Sequence, residues 1–197
     1  MKFFILIFIC LMVTTYVFGF KYTKIEVHNL YDDNCSLQPY EIVYQLNGWC
    51  VDGNTNIECN EDGTVITQNV FGTNSGCKGA KTGNITNASG TCAFENVVYS
   101  CVDDFEIPEN TLVSVVTNGK CENDPSWKDD IGLIGYEYLN QCIQNYKGAF
   151  ELTCNSSIPY KNIYNSTSVC NTVPTGYGWF SPNECSKNDP TFYYCNV

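Results

Sequence analysis

Residues 46–59 read LNGWCVDGNTNIEC, and residues 88–101 read ASGTCAFENVVYSC. Each segment carries two cysteines 9 positions apart, and a further cysteine stands 15 positions before the first of them. The two triplets are Cys35, Cys50 and Cys59, and Cys77, Cys92 and Cys101. The same spacing occurring twice indicates an internal repeat of about 40 residues.

The second half of the chain follows the same pattern with altered spacing. The third triplet is Cys121, Cys142 and Cys154, whose cysteines are 21 and 12 positions apart. The fourth triplet is Cys170, Cys185 and Cys195, whose cysteines are 15 and 10 positions apart. We interpret the third triplet as the same unit with two longer loops. The chain is therefore predicted to contain four repeats.

Two positions inside each repeat support this interpretation. The residue two before each middle cysteine is glycine or asparagine, the types that tolerate positive φ, which predicts a tight turn there: Gly48, Gly90, Asn140 and Asn183. The residue two before each last cysteine is large and apolar or aromatic: Ile57, Tyr99, Leu152 and Tyr193. Residues two apart in a strand share a face, so each last cysteine is predicted to point into the core.

Strand patterns dominate the sequence. Residues 22–28 alternate, with Thr23, Ile25 and Val27 on one face and Lys24, Glu26 and His28 on the other. Similar short runs separated by Gly, Asn, Asp and Pro span residues 41–46, 64–71, 96–101, 111–117, 133–139, 149–154 and 192–195. Residues 131–139 would also fit a short helix. We predict an all-β fold of disulfide-rich tandem β-sandwich domains built from the four repeats.

Three cysteines cannot all pair within one repeat, so the repeats must cooperate. The simplest arrangement joins them in pairs, giving domains at 20–104 and 111–197 with three disulfides each. The acidic segment 102–110, which contains Pro108, is predicted to be the linker. If pseudo-symmetry relates the two repeats of a domain, the odd cysteine of one bonds its equivalent in the other. The connectivity otherwise stays open.

The N-terminus predicts secretion. Lys2 precedes an apolar run at 3–13, and the small residue Gly19 follows, so residues 1–19 are predicted to be a signal peptide. Its removal takes away Cys10 and leaves twelve cysteines, an even number that suits six disulfides outside the cell. The end of the chain, residues 194–197, has no apolar tail, and we expect neither a lipid anchor nor a membrane span.

Glycosylation sequons agree with an extracellular location. Four fit the N-glycosylation pattern, at Asn84, Asn87, Asn155 and Asn165. A fifth, at Asn34, has Cys35 as its middle residue. The net charge of -11, from 10 Lys plus Arg against 21 Asp plus Glu, argues against nucleic-acid partners, because phosphate binding needs cationic side chains. The expected partner is a cell-surface or matrix protein or a carbohydrate.

Catalytic and metal-binding patterns are weak. His28, the one histidine, is expected to be an exposed strand residue, and no Gly-x-Ser-x-Gly or Cys-x-x-Cys motif is present. We therefore expect no catalytic residue, cofactor or metal ion. The alternative is a small secreted hydrolase resembling a glycosidase, with carboxylates in the acidic loop that contains Glu122, Asp124, Asp129 and Asp130. That reading requires two carboxyl groups to converge in a concave pocket.

Aromatic residues provide a candidate ligand surface. Tyr177, Trp179 and Phe180 lie in a segment with two glycines that leave the rings open, and Pro174 and Pro182 stiffen it. Exposed rings there can stack on sugars, although aromatic side chains are often buried in a core. The function predicted from the sequence is a secreted, non-catalytic, structural or adhesive module.

The cysteine order with its turn residues resembles the cysteine-rich extracellular proteins of social amoebae, including the ponticulin-like group. The resemblance rests on Cys35, on residues 46–50 (LNGWC), on Cys59, on residues 75–77 (SGC), on Cys92 and on residues 98–101 (VYSC). Ponticulin-like proteins are lipid-anchored and associated with actin and membranes. The paired repeat is also similar to the βγ-crystallin architecture, whose calcium loops begin with two acidic or amide residues, as residues 32–36 (DDNCS) approximately do.

Overall fold

The computed structural model describes residues 19–29, 31–73, 75–93, 96–121, 124–145, 148–155, 158–164, 169–180, 185 and 190–197. The strands are β1 (Tyr22–Val27), β2 (Glu41–Leu46), β3 (Thr55–Cys59), β4 (Val65–Phe71), β5 (Lys81–Ala88), β6 (Cys92–Ala93), β7 (Val97–Val102), β8 (Thr111–Thr117), β9 (Ile131–Tyr138), β10 (Cys142–Asn145), β11 (Gly148–Asn155), β12 (Ile158–Tyr164), β13 (Gly176–Trp179) and β14 (Thr191–Asn196). A short 3₁₀ turn spans Trp127–Asp130.

The all-β prediction is confirmed. Each of the eight predicted runs coincides with a strand, and the run at 131–139, which would also have fitted a helix, is β9. The strands β3, β5, β6, β10, β12 and β13 were not predicted. Residues 1–18 of the predicted signal peptide, 1–19, lie outside the described residues, and the signal peptide stays a prediction.

One antiparallel sheet of seven strands joins the two halves of the chain. Its order is β14-β8-β9-β2-β1-β7-β6, so the halves meet where β2 pairs with β9. In that ladder Ile42 lies opposite Tyr136 and Tyr44 lies opposite Ile134. A shift of 92 positions superimposes Cys50 on Cys142, and it likewise turns Ile42 into Ile134 and Tyr44 into Tyr136. The pairing is therefore reciprocal, as in a two-fold interface.

Two smaller sheets pack on one face of the central sheet. The three-stranded sheet β3-β4-β5 lies against β1 and β7, where Cys59 bonds Cys101. The four-stranded sheet β10-β11-β12-β13 lies against β8 and β14, where Cys154 bonds Cys195. A buried cluster fills this second contact and contains Leu112, Leu139, Ile143, Phe150 and Leu152. The central strands β2 and β9 lie between the two packed regions.

The main core lies on the other face of the central sheet. It contains Tyr22, Ile42, Tyr44, Val113, Val115, Ile131, Ile134, Tyr136 and Phe192. Phe105 and Ile107, from the segment predicted to be a linker, pack against this core. Both predicted domains contribute strands to the central sheet. The division at 102–110 stays a prediction.

All twelve cysteines of the described chain form disulfides, and the order of pairing is the same in both halves. Numbered one to six within a half, the cysteines pair one with five, two with four and three with six. The bonds are Cys35–Cys92, Cys50–Cys77 and Cys59–Cys101, then Cys121–Cys185, Cys142–Cys170 and Cys154–Cys195. Every bond crosses from one predicted repeat to the next, and the last cysteines bond their equivalents, as pseudo-symmetry predicts.

The predicted turns before the middle cysteines are present wherever the structure describes them. Gly48, Gly90 and Asn140 have φ values of 75°, 73° and 56°, while Asn183 lies outside the described residues. Each of the three donates its N–H to the carbonyl of the apolar residue two before the last cysteine: Ile57 at 2.8 Å, Tyr99 at 2.7 Å and Leu152 at 2.8 Å. The repeats thus share a turn, a hydrogen bond and a cysteine pattern. The full fourfold architecture stays a prediction.

Removing the Cys59–Cys101 bridge, by Cys59→Ser together with Cys101→Ser, should lower the free energy of unfolding by about 2–5 kcal/mol, because the bridge fastens the three-stranded sheet to the central sheet. Urea unfolding and secreted yield measure this effect. The matched control, Asp129→Asn with Asp130→Asn in the 3₁₀ turn, should stay within about 0.5 kcal/mol. A serine variant with the wild-type urea midpoint would contradict the expectation.

Candidate functional site

The outer edge strand of the four-stranded sheet carries two exposed aromatic rings. Tyr177 is 71% exposed and Trp179 is 68% exposed, and both lie on β13. Because residues two apart in a strand share a face, both rings project to the same side. Their register partners on β12 are Asn162 and Tyr160, respectively. We call Tyr177, Trp179, Tyr160 and Asn162 the aromatic surface.

Phe180 is separated from the other two aromatic residues predicted to contact a ligand. Its ring packs toward the central sheet, 5.2 Å from the ring of Tyr193 between centroids, beside the buried cluster. The structure therefore brings Tyr177 and Trp179 together and places Phe180 in a different environment. Gly176 and Gly178 alternate with the exposed rings along β13. Because they have no side chain, the face of β13 opposite the rings leaves space for the side chains of Ile163 and Lys161 on β12.

A cavity lies between the central sheet and the side of the four-stranded sheet that carries Phe180. This cavity, which we call the carboxyl cleft, has a volume of about 190 Å³. Its lining consists of Glu41, Leu112, Ser114, Tyr136, Glu137, Phe180 and Tyr193. Glu41 on β2 and Glu137 on β9 are directly opposite each other in the ladder that joins the halves. Opposite residues in an antiparallel pair have Cβ atoms about 4.5–5.5 Å apart, so both carboxyl groups enter one small space.

Both carboxyl groups of the cleft bind protons more tightly than usual. Burial raises the pKa of Glu41, and burial together with the charge of Glu41 raises the pKa of Glu137 to about 7. The charge of Lys161, on β12, lowers the pKa of both groups. Lys161 Nζ lies 3.6 Å from the centroid of the Phe150 ring, which holds the ammonium group over the buried cluster.

Glu41 and Glu137 were not predicted from the sequence as a site, although the sequence contains one signal for them. Glu137 is a charged residue within the mostly apolar strand IGLIGYEY, and such residues need a reason to be there. Glu41 begins a strand whose bounds were predicted correctly. The cross-strand register brings these residues together, and nothing in the local sequence specifies it.

The described carboxylates of the acidic loop, which the sequence offered as the site of a hydrolase, do not line the carboxyl cleft. Asp124 accepts hydrogen bonds from the Ser126 N–H at 2.9 Å and the Ser126 hydroxyl at 2.7 Å, and these bonds lower the pKa of Asp124. Asp129 and Asp130 lie in the 3₁₀ turn, and neither lines the carboxyl cleft. Glu122 lies outside those residues.

The prediction for His28 is wrong. β1 ends at Val27, and His28 is only 6% exposed, with Nδ1 3.1 Å from Oδ2 of Asp32. Burial raises the pKa of Asp32, but bonds donated by the N–H groups of Ser36 and Leu37 and by the Ser36 hydroxyl outweigh it and lower the pKa. The loop that resembles a calcium loop thus uses its first carboxylate to bind its own backbone and His28.

A further cavity lies on the opposite face of the central sheet from the carboxyl cleft. The cavity has a volume of about 330 Å³ and is lined by Asp104, Phe105, Ile107, Trp127, Lys128, Ile131, Ile134 and Tyr194. Its walls are mostly apolar, and the ring of Trp127 meets Phe192 edge to face with centroids 5.2 Å apart. The segment 102–110 forms one wall.

The predicted glycosylation residues fall on exposed or half-buried positions where they are described. Asn84 and Asn87 lie on β5, the edge strand of the three-stranded sheet, and Asn155 ends β11. Asn165 lies outside the described residues. β5 is exposed along nearly its whole length, and Ile85, the middle residue of the first sequon, is 58% exposed.

Two features are absent from the described residues. No group of three or more His, Cys, Asp or Glu side chains is placed to hold a metal ion. Within the same ranges, no helix has the length and apolar character needed to cross a membrane.

Comparison with known proteins gives one match. The family model described as Counting factor-associated protein A/B/C matches residues 1–197. No curated protein and no solved structure matches the chain. The family match agrees with the resemblance to social-amoeba proteins. The ponticulin-like and crystallin-like comparisons stay resemblances.

Lys161→Met should raise the pKa of Glu137 above its value of about 7, because it removes a positive charge that favours the carboxylate. Carboxyl ¹³C chemical shifts followed by NMR as a function of pH measure the change. Lys24→Met is the matched control, since Lys24 pairs with Glu26 at 2.8 Å on β1. If Glu137 titrates at the same pH in both variants, Lys161 does not act on the cleft.

Proposed function

This chain belongs to the counting factor-associated protein A/B/C family, and we propose that it is a secreted, N-glycosylated, non-catalytic module that binds a carbohydrate partner outside the cell. The observation that carries the proposal is the aromatic surface, in which Tyr177 and Trp179 are 71% and 68% exposed on one face of an edge strand. Large aromatic side chains are costly to leave in water, and their grouping on a surface marks an interaction site.

The extracellular location is supported by the disulfides. Six bonds among twelve cysteines are expected to persist only in an oxidising compartment. The apolar run after Lys2 gives the chain a predicted route to that compartment. Oxidised cysteines also leave no thiolate nucleophile among the described residues, which favours a binding role over thiol catalysis.

The chemistry of the aromatic surface favours a sugar ligand. Tyr177 and Trp179 are two residues apart in a strand, so their side chains are about 7 Å apart. This spacing suits stacking on neighbouring sugar rings. Asn162 pairs with Tyr177, and Glu151 pairs with Asn162, so an amide and a carboxylate lie beside the rings. Tyr164 donates its hydroxyl to Glu151 Oε2 at 3.0 Å and orients that carboxylate. Such groups hydrogen-bond sugar hydroxyls.

A secreted hydrolase is the second candidate, and the carboxyl cleft is the observation that favours it. Glu41 and Glu137 converge in one cavity, as glycoside hydrolysis requires. We expect the mature protein to release no product from chromogenic glycosides above the blank. Hydrolysis that is present in the wild type and abolished by Glu137→Gln would replace the binding proposal with the catalytic one.

Tyr177→Ala and Trp179→Ala should each weaken carbohydrate binding by at least about tenfold, because each removes one stacking ring. Glycan-array binding of the tagged mature protein, followed by titration calorimetry with the best ligand, measures the loss. Tyr31→Ala is the matched control, since Tyr31 is 70% exposed outside the aromatic surface. All three variants should keep the wild-type thermal midpoint.

Two results would contradict this proposal. Equal binding by the wild type and Trp179→Ala would remove the aromatic surface from the site. Capture of a cell-surface protein through Tyr177 and Trp179, with no glycan bound, would assign the same surface to a protein ligand.

N-glycans on β5 are expected to shield an exposed strand edge. Asn84→Gln and Asn87→Gln should each remove a glycan from the secreted protein, as measured by peptide mapping before and after enzymatic deglycosylation. Because edge strands with exposed apolar residues such as Ile85 pair with other chains, the double variant should self-associate in light scattering. Asn155→Gln, on β11, is the control and should stay monodisperse. An unglycosylated wild-type protein that stays monodisperse contradicts both parts.

A further inference from the structure

The carboxyl cleft lies beside an approximate two-fold axis of the β2–β9 ladder, and this position makes its chemistry unusual. The shift of 92 positions that relates the halves turns Gln45 into Glu137 and Glu41 into Leu133. Gln45 and Leu133 are themselves paired at the other end of the same ladder. The counterpart of the carboxyl pair is therefore a neutral pair. The ladder forms there without any carboxyl group, so strand pairing does not require Glu41 and Glu137.

The charges that face the cleft are unbalanced when both carboxyl groups are ionised. β2 and β9 contribute Glu41 and Glu137, and β12 contributes the ammonium group of Lys161. The remaining side chains of the lining on this face are Ser114, the phenol of Tyr193 and two apolar side chains, because the ring of Tyr136 packs in the main core on the other face of the central sheet. One proton shared by the two carboxyl groups leaves one negative charge against one positive charge.

We propose that Glu41 and Glu137 form a pH-sensitive contact that holds the four-stranded sheet against the central sheet when they share a proton and loosens this contact when both ionise. The walls of the cleft come from both sheets, with Phe180 supplied by the segment after β13 and Ser114 by β8. A second, uncompensated negative charge in this cavity attracts water. Hydration is most easily accommodated by separating the two walls.

The direction of the pH effect follows from the proton affinity of Glu137. Its pKa is about 7 in the folded chain against an ordinary value of 4.5. The folded state therefore binds more protons than the unfolded state between these values. The stabilising contribution is complete below about pH 4.5 and is lost as the pH rises through 7. The difference between the pKa of about 7 in the folded chain and the ordinary pKa of 4.5 corresponds to a change of at most about 300-fold in the folding equilibrium constant.

Hydrogen exchange measured by mass spectrometry at about pH 5 and about pH 8.5, corrected for the intrinsic exchange rate, tests the proposal on the full mature chain. Peptides from β11, β12 and β13 should lose protection at the higher pH, while peptides from β3 and β4 keep theirs. The thermal midpoint should fall over the same interval.

Glu137→Gln places glutamine at position 137, whose counterpart in the first half is Gln45. Gln45 is accommodated in the same ladder, so we expect the variant to form the β2–β9 pairing. We expect this variant to have little pH dependence and a higher midpoint than the wild type at about pH 8.5. Glu41→Gln provides an independent second test with the same expectation. Glu109→Gln, at an exposed position of the segment 102–110, is the isosteric control and should follow the wild type.

Three results would overturn the proposal. The first is a Glu137→Gln variant whose midpoint falls with pH as steeply as that of the wild type. The second is uniform loss of protection in all three sheets, which would indicate global rather than local loosening. The third is a Glu137→Gln variant that is less stable than the wild type at both pH values, which would assign a structural hydrogen bond to the carboxylate. None of these measurements depends on the aromatic surface or its ligand.

Discussion

An odd number of cysteines in each predicted repeat is the constraint on which the structure depends. Three cysteines leave at least one without a partner inside a repeat, so at least one bond has to cross to the neighbouring repeat. In this structure all six bonds cross. The last cysteines bond each other and fasten a small sheet to the central sheet in each half. The turn before each described middle cysteine is bonded to the strand that carries the last cysteine. For example, the N–H of Gly48 donates to the carbonyl of Ile57, two residues before Cys59, and this bond fixes the position of the strand relative to the turn.

Each half of the chain has a strand edge in the central sheet that pairs with the other half. β2 and β9 provide those edges, and they pair with each other in a reciprocal ladder. Unpaired strand edges invite association with other chains, and this pairing removes two of them at once. The central sheet therefore behaves like the interface of a two-fold dimer whose subunits are joined by residues 102–110. Phe105 and Ile107 then fill the core face of that interface.

Local patterns in the sequence predicted most of the fold. Alternation located β1, cysteine spacing located the repeats, and the residue types of Gly48, Gly90 and Asn140 predicted positive φ. These features depend on neighbouring residues. The prediction for His28 was wrong because the burial of this side chain depends on Asp32 and on the conformation of the loop that follows β1. The carboxyl cleft was missed because β2 and β9 are about 90 residues apart and their register is a long-range property.

The features that suggest function lie where the two halves differ. Both halves place a strand between their fourth and fifth cysteines, namely β5 between Cys77 and Cys92 and β13 between Cys170 and Cys185. A shift of 93 positions superimposes these cysteines, and it places the exposed rings of Tyr177 and Trp179 where β5 carries Asn84 and Thr86. The carboxyl pair likewise has a neutral counterpart across the ladder. Shared residues build a fold that tolerates change, because the disulfides and the β2–β9 ladder hold it together. The two halves then differ at positions that this framework does not need, and the aromatic surface and the carboxyl cleft are both built from such positions.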